Sequence, residues 1–163
     1  MQTKEFLDYL DIEFSFRDQP VPLQPQLRVI WGLSILVLIL HICCRGGRSS
    51  VARLHLLNWS VRNNENRERL TELLENRSSP FATLIRCEPG FNRAIEYAIA
   101  ESLVEVVDGS NNLRIRLLEK GRHLANEIIE EENCLQDEKV FLREKCSSVT
   151  EELAKSLLRQ IRT

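Results

Sequence analysis

The stretch Phe91-Asn92-Arg93-Ala94-Ile95-Glu96-Tyr97-Ala98-Ile99-Ala100-Glu101-Ser102, followed by Leu103-Val104-Glu105-Val106-Val107, Asp108-Gly109-Ser110-Asn111-Asn112, Leu113-Arg114-Ile115-Arg116-Leu117-Leu118 and Glu119-Lys120-Gly121-Arg122, decides the fold. Phe91, Ala94, Ile95, Ala98, Ile99 and Leu103 recur at three and four residues and form one apolar stripe of a helix. Asn92, Arg93, Glu96 and Glu101 fall on its opposite side. Two short apolar runs follow and read as strands. In the second, alternation sends Leu113, Ile115 and Leu117 to the core and Arg114 and Arg116 to the other face. Between the runs, Asp108 to Asn112 supplies the Gly and Asn residues that tolerate positive φ at a hairpin tip.

Helix, strand, tight turn, strand, helix is how a winged helix-turn-helix reads in sequence. The expected fold class is mainly α, α+β, with a two-stranded wing and extra N- and C-terminal helices. Such an order speaks to fold and little to function, because these modules serve both as DNA readers and as protein docking units.

Working outward, Glu88-Pro89-Gly90 is a turn signal ahead of the helix, and Phe81 to Arg86 is ambiguous between a strand and a helical turn. Gln26 to Cys44 reads as a helix apolar on every side, closed by Arg45-Gly46-Gly47-Arg48. Its uncharged run, Val29 to Cys44, falls short of the roughly 20 residues that cross a bilayer, so a buried core helix is expected and no membrane span. Ser49 or Ser50 caps the next helix, Val51 to Arg62, and Asn63 to Asn66 reads as a turn before a third, Arg67 to Glu75. After the hairpin come a helix from Lys120 to Ile128 or Ile129 and a second from Asp137 to Arg162. At the other end, residues 1–25 form an arm with apolar Phe6, Leu10, Phe14 and Phe16, a candidate interface, joined by a linker that Pro20, Pro22 and Pro25 keep irregular. The expected organisation is arm 1–25, winged-helix unit 26–130 and helical extension 131–163.

Bulk composition narrows the function. A net charge of -2 lacks the basic excess of a surface built to hold nucleic acid, although the Arg-rich stretch Arg45 to Arg69 and the acidic one from Glu127 leave room for a basic patch on a neutral molecule. The cysteines, at 43, 44, 87, 134 and 146, form no CxxC pair, so neither a zinc site nor a disulfide framework is expected, and they read as reduced, mostly buried thiols of a cytoplasmic protein. His41, His55 and His123 sit in three different helices, none paired by a motif with Ser, Cys or Asp, and His41 reads as a core residue. Arg45-Gly46-Gly47-Arg48-Ser49-Ser50 lacks the spacing and the Lys of a phosphate loop. No catalytic residue, cofactor or metal is expected, and no enzymatic activity.

As a reader of DNA the helix from Phe91 is poor. Glu96 and Glu101 would meet phosphates of like charge in a groove, and only Asn92 and Arg93 suit base edges. Arg114 and Arg116 on the wing are better placed to touch phosphates or a partner's carboxylates. Arg45 and Arg48 are further candidate contacts, and Arg53 and Arg62 pose the same choice with a solvated face as the simpler reading.

The segment Ala100 to Arg122 resembles the wing of MarR- and PadR-like regulators, in which a strand and Gly/Asn turn lead into an "LTEKG" helix start. As a whole the chain resembles the small middle component of ABC-three-component systems, the group that includes Lamassu-type anti-phage defence. The likeness rests on the apolar helix Leu27 to Cys44, the Arg-Gly-Gly-Arg-Ser-Ser break, the Leu54 to Arg62 helix with Trp59, and the Phe91 to Glu127 unit. It implies a non-enzymatic subunit that binds an SMC/Rad50-like ABC ATPase and couples it to an effector nuclease, with DNA reached through the complex. The alternative is a dimeric MarR/PadR-like transcriptional regulator whose C-terminal helix dimerises and whose Arg93, Arg114 and Arg116 govern DNA binding.

Overall fold

The computed structural model describes residues 28–77, 79, 85, 87–109 and 112–159. The arm with Phe6, Leu10, Phe14 and Phe16, most of the ambiguous 81–86 segment and the hairpin tip at 110–111 lie outside the described residues.

Helix α1, Val29–Ile42, carries nine buried residues and runs through the middle of the molecule, against four helices and the sheet introduced below. Its uniformly apolar surface needs neighbours on all sides, and it finds them. No helix among the described residues is long and apolar enough to cross a membrane. Beyond it a short 3-10 turn, Arg45–Gly47, holds Gly46 and Gly47 at φ 68° and 63°. The chain then enters a strand that the sequence reading lacked, β1, Arg48–Ser50. Three polar residues carry little strand preference of their own, so this strand exists through its pairing.

Ser50 also caps α2, Val51–Val61, its Oγ accepting from the Arg53 N–H at 3.2 Å. Asn63 to Asn66 is a helix start and not the expected turn. Asn63 accepts from the Asn66 N–H at 2.8 Å, and α3 spans Asn64–Leu74. The turn expected at Glu88-Pro89-Gly90 is likewise a helix start, since Pro89 opens α4, Pro89–Ala100. Proline suits that position because its missing N–H would have had no helical partner anyway. On α4, Phe91, Ala94, Ile95 and Ala98 are buried. A side chain at Gly32 of α1 would meet Ala94 Cβ at 3.0 Å, so that glycine sets how closely α1 and α4 approach.

The hairpin follows as expected: β2, Val104–Gly109, and β3, Asn112–Leu117, antiparallel with Val106 opposite Ile115. The sheet has three strands, in order β1-β3-β2, with Ser49 opposite Ile115 on the second ladder. Helix α5, Glu119–Glu130, then turns back under the start of β2.

The expected single helix over Asp137 to Arg162 is broken within the described residues. Helix α6, Gln136–Lys145, gives way to a 3-10 turn, Cys146–Ser148, and α7 spans Glu151–Arg159. Thr150 stops the continuation because its Oγ1 accepts from the Leu153 N–H at 3.1 Å, the geometry of a new N-cap. Phe141 and Leu142 of α6 and Ala154 and Leu157 of α7 belong to the same apolar core as Trp31 to Leu40 and Leu54 to Trp59. The molecule is thus a mainly helical α+β fold around one core, with a small antiparallel sheet at one side.

Candidate functional site

Strand register decides which of the expected contact residues meet. Arg48 stands across from Arg116, which stands across from Glu105, so β1, β3 and β2 give one outward row of Arg, Arg and Glu. The next outward row is Ser50, Arg114 and Val107. Arg45 is exposed in the turn just before β1. Four of the five expected arginines therefore gather at one side of the sheet, while Arg93 sits apart on the outer face of α4.

Arg116 is not free as expected, because Glu105 pairs with it across the ladder. Ser50 is buried although it points outward, because Glu151 of α7 accepts from its backbone N–H at 3.1 Å and from its hydroxyl. Leu113 departs from the expected alternation. It faces the same way as Ile115 but is 54% exposed, since it lies near the hairpin tip, past the edge of the core.

Arg53 and Arg62 are not on a solvated face. Arg53 is 9% exposed and its guanidinium is enclosed by acceptors. Nε donates to Val149 O at 2.7 Å, Nη1 to Cys44 Sγ at 3.2 Å, and Nη2 to Cys43 O at 3.0 Å and Cys146 O at 3.1 Å. Arg62 pairs with Glu88 at the N-terminus of α4. The periodicity of an amphipathic helix cannot announce such residues, since a long Arg stem buries well wherever carbonyls converge.

Cys44 and Cys146 are buried, Cys43 and Cys134 are half-buried, and Cys87 is exposed. Burial pushes the Cys43 thiol far up from its ordinary value, and the adjoining Cys146 pushes it in the same direction. Burial likewise raises Cys44, against an opposing pull from Arg53. Burial thus disfavours the thiolate, the reactive form, at Cys43 and Cys44. His41 is half-buried. His55 is the core histidine: its Nε2 donates to Asn92 Oδ1 at 2.9 Å, its ring meets Phe91 edge-on at 5.3 Å, and burial lowers its pKa with the Asn92 bond opposing. Asn92, expected among the base-reading residues, is engaged in that bond.

The outer face of α4 bears Arg93, Glu96 and Glu101 beside Tyr97, 54% exposed, and Ile99, 37% exposed. Ile99 was expected in the buried stripe and lies at its margin. Between the end of α4 and α5 is an open groove of about 450 Å³, floored by Leu103 and Leu124 and rimmed by Glu119, Lys120, His123 and Glu127. His123 lies 3.4 Å from Glu127, one helical turn on. No group of three or more metal-ligating side chains occurs among the described residues.

One neighbour of the Arg45–Gly47 turn is missing from the sequence reading. The Arg122 guanidinium lies 3.8 Å from where a Gly47 side chain would begin, so α5 adds an arginine beside the Arg45-Gly46-Gly47-Arg48 turn. The sequence marks the glycine pair with its flanking candidate contacts Arg45 and Arg48, but carries no sign that Arg122 reaches it. Comparison with known proteins found no matching family model, no matching curated protein and no matching solved structure.

Proposed function

We propose that this chain is a winged-helix docking module: a non-enzymatic accessory subunit of an SMC/Rad50-like ABC ATPase complex in anti-phage defence, linking the ATPase to an effector nuclease. The winged-helix reading is supported by the element order α1, β1, α2, α4, β2, β3 and the strand order β1-β3-β2, with α3 inserted between α2 and α4. The defence role and the partners come from the resemblance drawn from the sequence.

The observation that carries the docking reading is the outward face of α4. A helix that enters a DNA groove presents Arg, Lys, Asn or Gln to the bases. Here the large exposed side chains are Arg93, Glu96, Tyr97 and Ile99, with Glu101 just beyond the helix, and Asn92, exposed as well, has its Oδ1 engaged by His55. Exposed Tyr and Ile with flanking carboxylates suit a polypeptide surface, where aromatic and aliphatic anchors supply most of the affinity.

A dimeric MarR/PadR-like regulator is less well supported. Its dimerising C-terminal helix would need a free apolar face, and α7 spends Ala154 and Leu157 on the chain's own core.

The test is co-purification. Full-length chain carrying an affinity tag, co-expressed with an ABC ATPase encoded beside it, is expected to retain that ATPase through size exclusion, and the double variant Tyr97→Asp, Ile99→Asp is expected to lose it. A monodisperse chain that elutes without the ATPase rejects the reading. Salt-dependent shift of a palindromic promoter fragment, abolished by Arg93→Ala, would establish the regulator instead.

A further inference from the structure

The arginines at the outer side of the sheet lack partners in proportion to their number. Arg45 and Arg48 flank the Gly46-Gly47 turn, both exposed, and Arg114 lies one outward position along β3 from Arg116. Among the described residues only Arg116 of this group has a carboxylate, Glu105. Arg48 faces Arg116 directly across the ladder, and like charges placed opposite one another oppose the pairing. Arg122, from α5, reaches the turn beside Leu117, on the core side of the sheet, and stands outside the outward row. The turn itself is bare: a side chain at Gly46 would meet nothing within 4 Å, so a bulky anion can come up to the backbone there.

We propose that this face, running from the Gly46-Gly47 turn across β1 to β3, seats the phosphodiester backbone of duplex DNA without reading its bases. Every cation in it is an arginine, whose planar fork matches phosphate oxygens. Arg114 and Arg116, two residues apart on one strand, stand about 6.8 Å from each other along it, a row suited to successive phosphates. An acidic peptide would need apolar anchors beside the charges, and a membrane would need apolar side chains to insert. The exposed apolar residues of the hairpin, Val106 and Leu113, lie on its other face. The net charge of -2 means the remaining surface is acidic, which turns this side, and not α4 with Glu96 and Glu101, toward a polyanion. The contact requires neither ATPase nor effector, so its failure would leave the docking reading standing.

The test is anisotropy of a fluorescein-labelled duplex of mixed sequence, titrated with the isolated full-length chain across a salt series. Log affinity should fall with log salt at a slope of roughly 3 to 4, and Arg48→Ala and Arg114→Ala should each lower that slope by about one. Both residues are exposed or half-buried, and circular dichroism checks that the variants fold. Glu105→Gln, which frees Arg116, should tighten binding several-fold, and Arg93→Ala should change nothing. No duplex binding at 50 mM salt, binding indifferent to Arg48 and Arg114, or binding lost with Arg93→Ala would each overturn the proposal. So would arginine-dependent binding of polyglutamate, or of phosphatidylserine and phosphatidylcholine vesicles, without binding of the duplex.

Discussion

Arg53 places a guanidinium where the end of α1, the start of α2 and the turn before α7 meet, and it satisfies the backbone carbonyls of Cys43, Cys146 and Val149 at once. Removing it leaves those acceptors in a dry site, which costs more than the hydrogen bonds themselves gain. Arg53→Met is expected to destabilise the fold by about 3 kcal/mol, read as a lowered urea midpoint. Arg53→Lys should recover little of this, since an ammonium has no fork to span three carbonyls. His55 carries a second residue-scale consequence. Its folded pKa is depressed by burial, so below the ordinary imidazole value of 6.5 the unfolded chain takes up a proton that the folded chain resists. Stability should therefore be insensitive to this group above pH 6.5 and decline as pH falls below it. His55→Gln keeps a donor for Asn92 and removes the titration. In a comparison of unfolding free energy against pH, the variant should have a flatter slope on the acid side, and parallel slopes would reject the assignment.

At the scale of elements, Gly121 fixes how α5 meets the hairpin. A Cβ there would fall 2.2 Å from Leu103 O and 2.6 Å from Leu117 Cδ1, and the first of these is backbone that cannot swing away. Leu118 N–H donates to the same Leu103 carbonyl at 2.9 Å, so the approach is held from both sides. Gly121→Ala should cost about 1–3 kcal/mol, the range for overpacked sites. Amide shifts in an NMR spectrum should concentrate at Leu103, Leu117 and Leu118, and shifts confined to residue 121 and its chain neighbours would count against the contact. The same elements reveal why some of the fold was legible and some was not. Helix α1 announces itself through a long uncharged apolar run, and the hairpin through short apolar runs on either side of a Gly/Asn turn. Strand β1 has no such signal, because Arg48-Ser49-Ser50 is a strand only by virtue of lying beside Arg116, Ile115 and Arg114. The breaks at Asn63 and Thr150 turn on single side-chain caps, which a periodic pattern runs straight across. Of the candidate site, Arg114 and Arg116 on β3 could be read from alternation. Arg122 could not, since it reaches the turn only through the path α5 takes after the hairpin.

For the whole molecule, the C-terminal helices are a built-in part of the core. Arg53 holds Val149 and Cys146, Ser50 holds Glu151, and Lys139, 2% exposed, closes the end of α5 by donating to Ile128 O at 3.1 Å and Glu131 O at 2.7 Å. Two of these ties bind the C-terminal third of the chain to the β1–α2 corner, far away in sequence, and the third binds α6 to α5. Contacts of that kind make melting cooperative, because no helix can leave without exposing apolar surface and orphaned carbonyls elsewhere. Trp31 in α1 and Trp59 in α2 are both buried and report on the centre of the core, whereas far-UV circular dichroism reports on all helices, α6 and α7 among them. Under urea the two probes should trace one transition with a common midpoint. Loss of helical signal at lower urea, with tryptophan emission still native, would mean that α6 and α7 peel away first, and the docking face would then have to be sought on a surface those helices uncover.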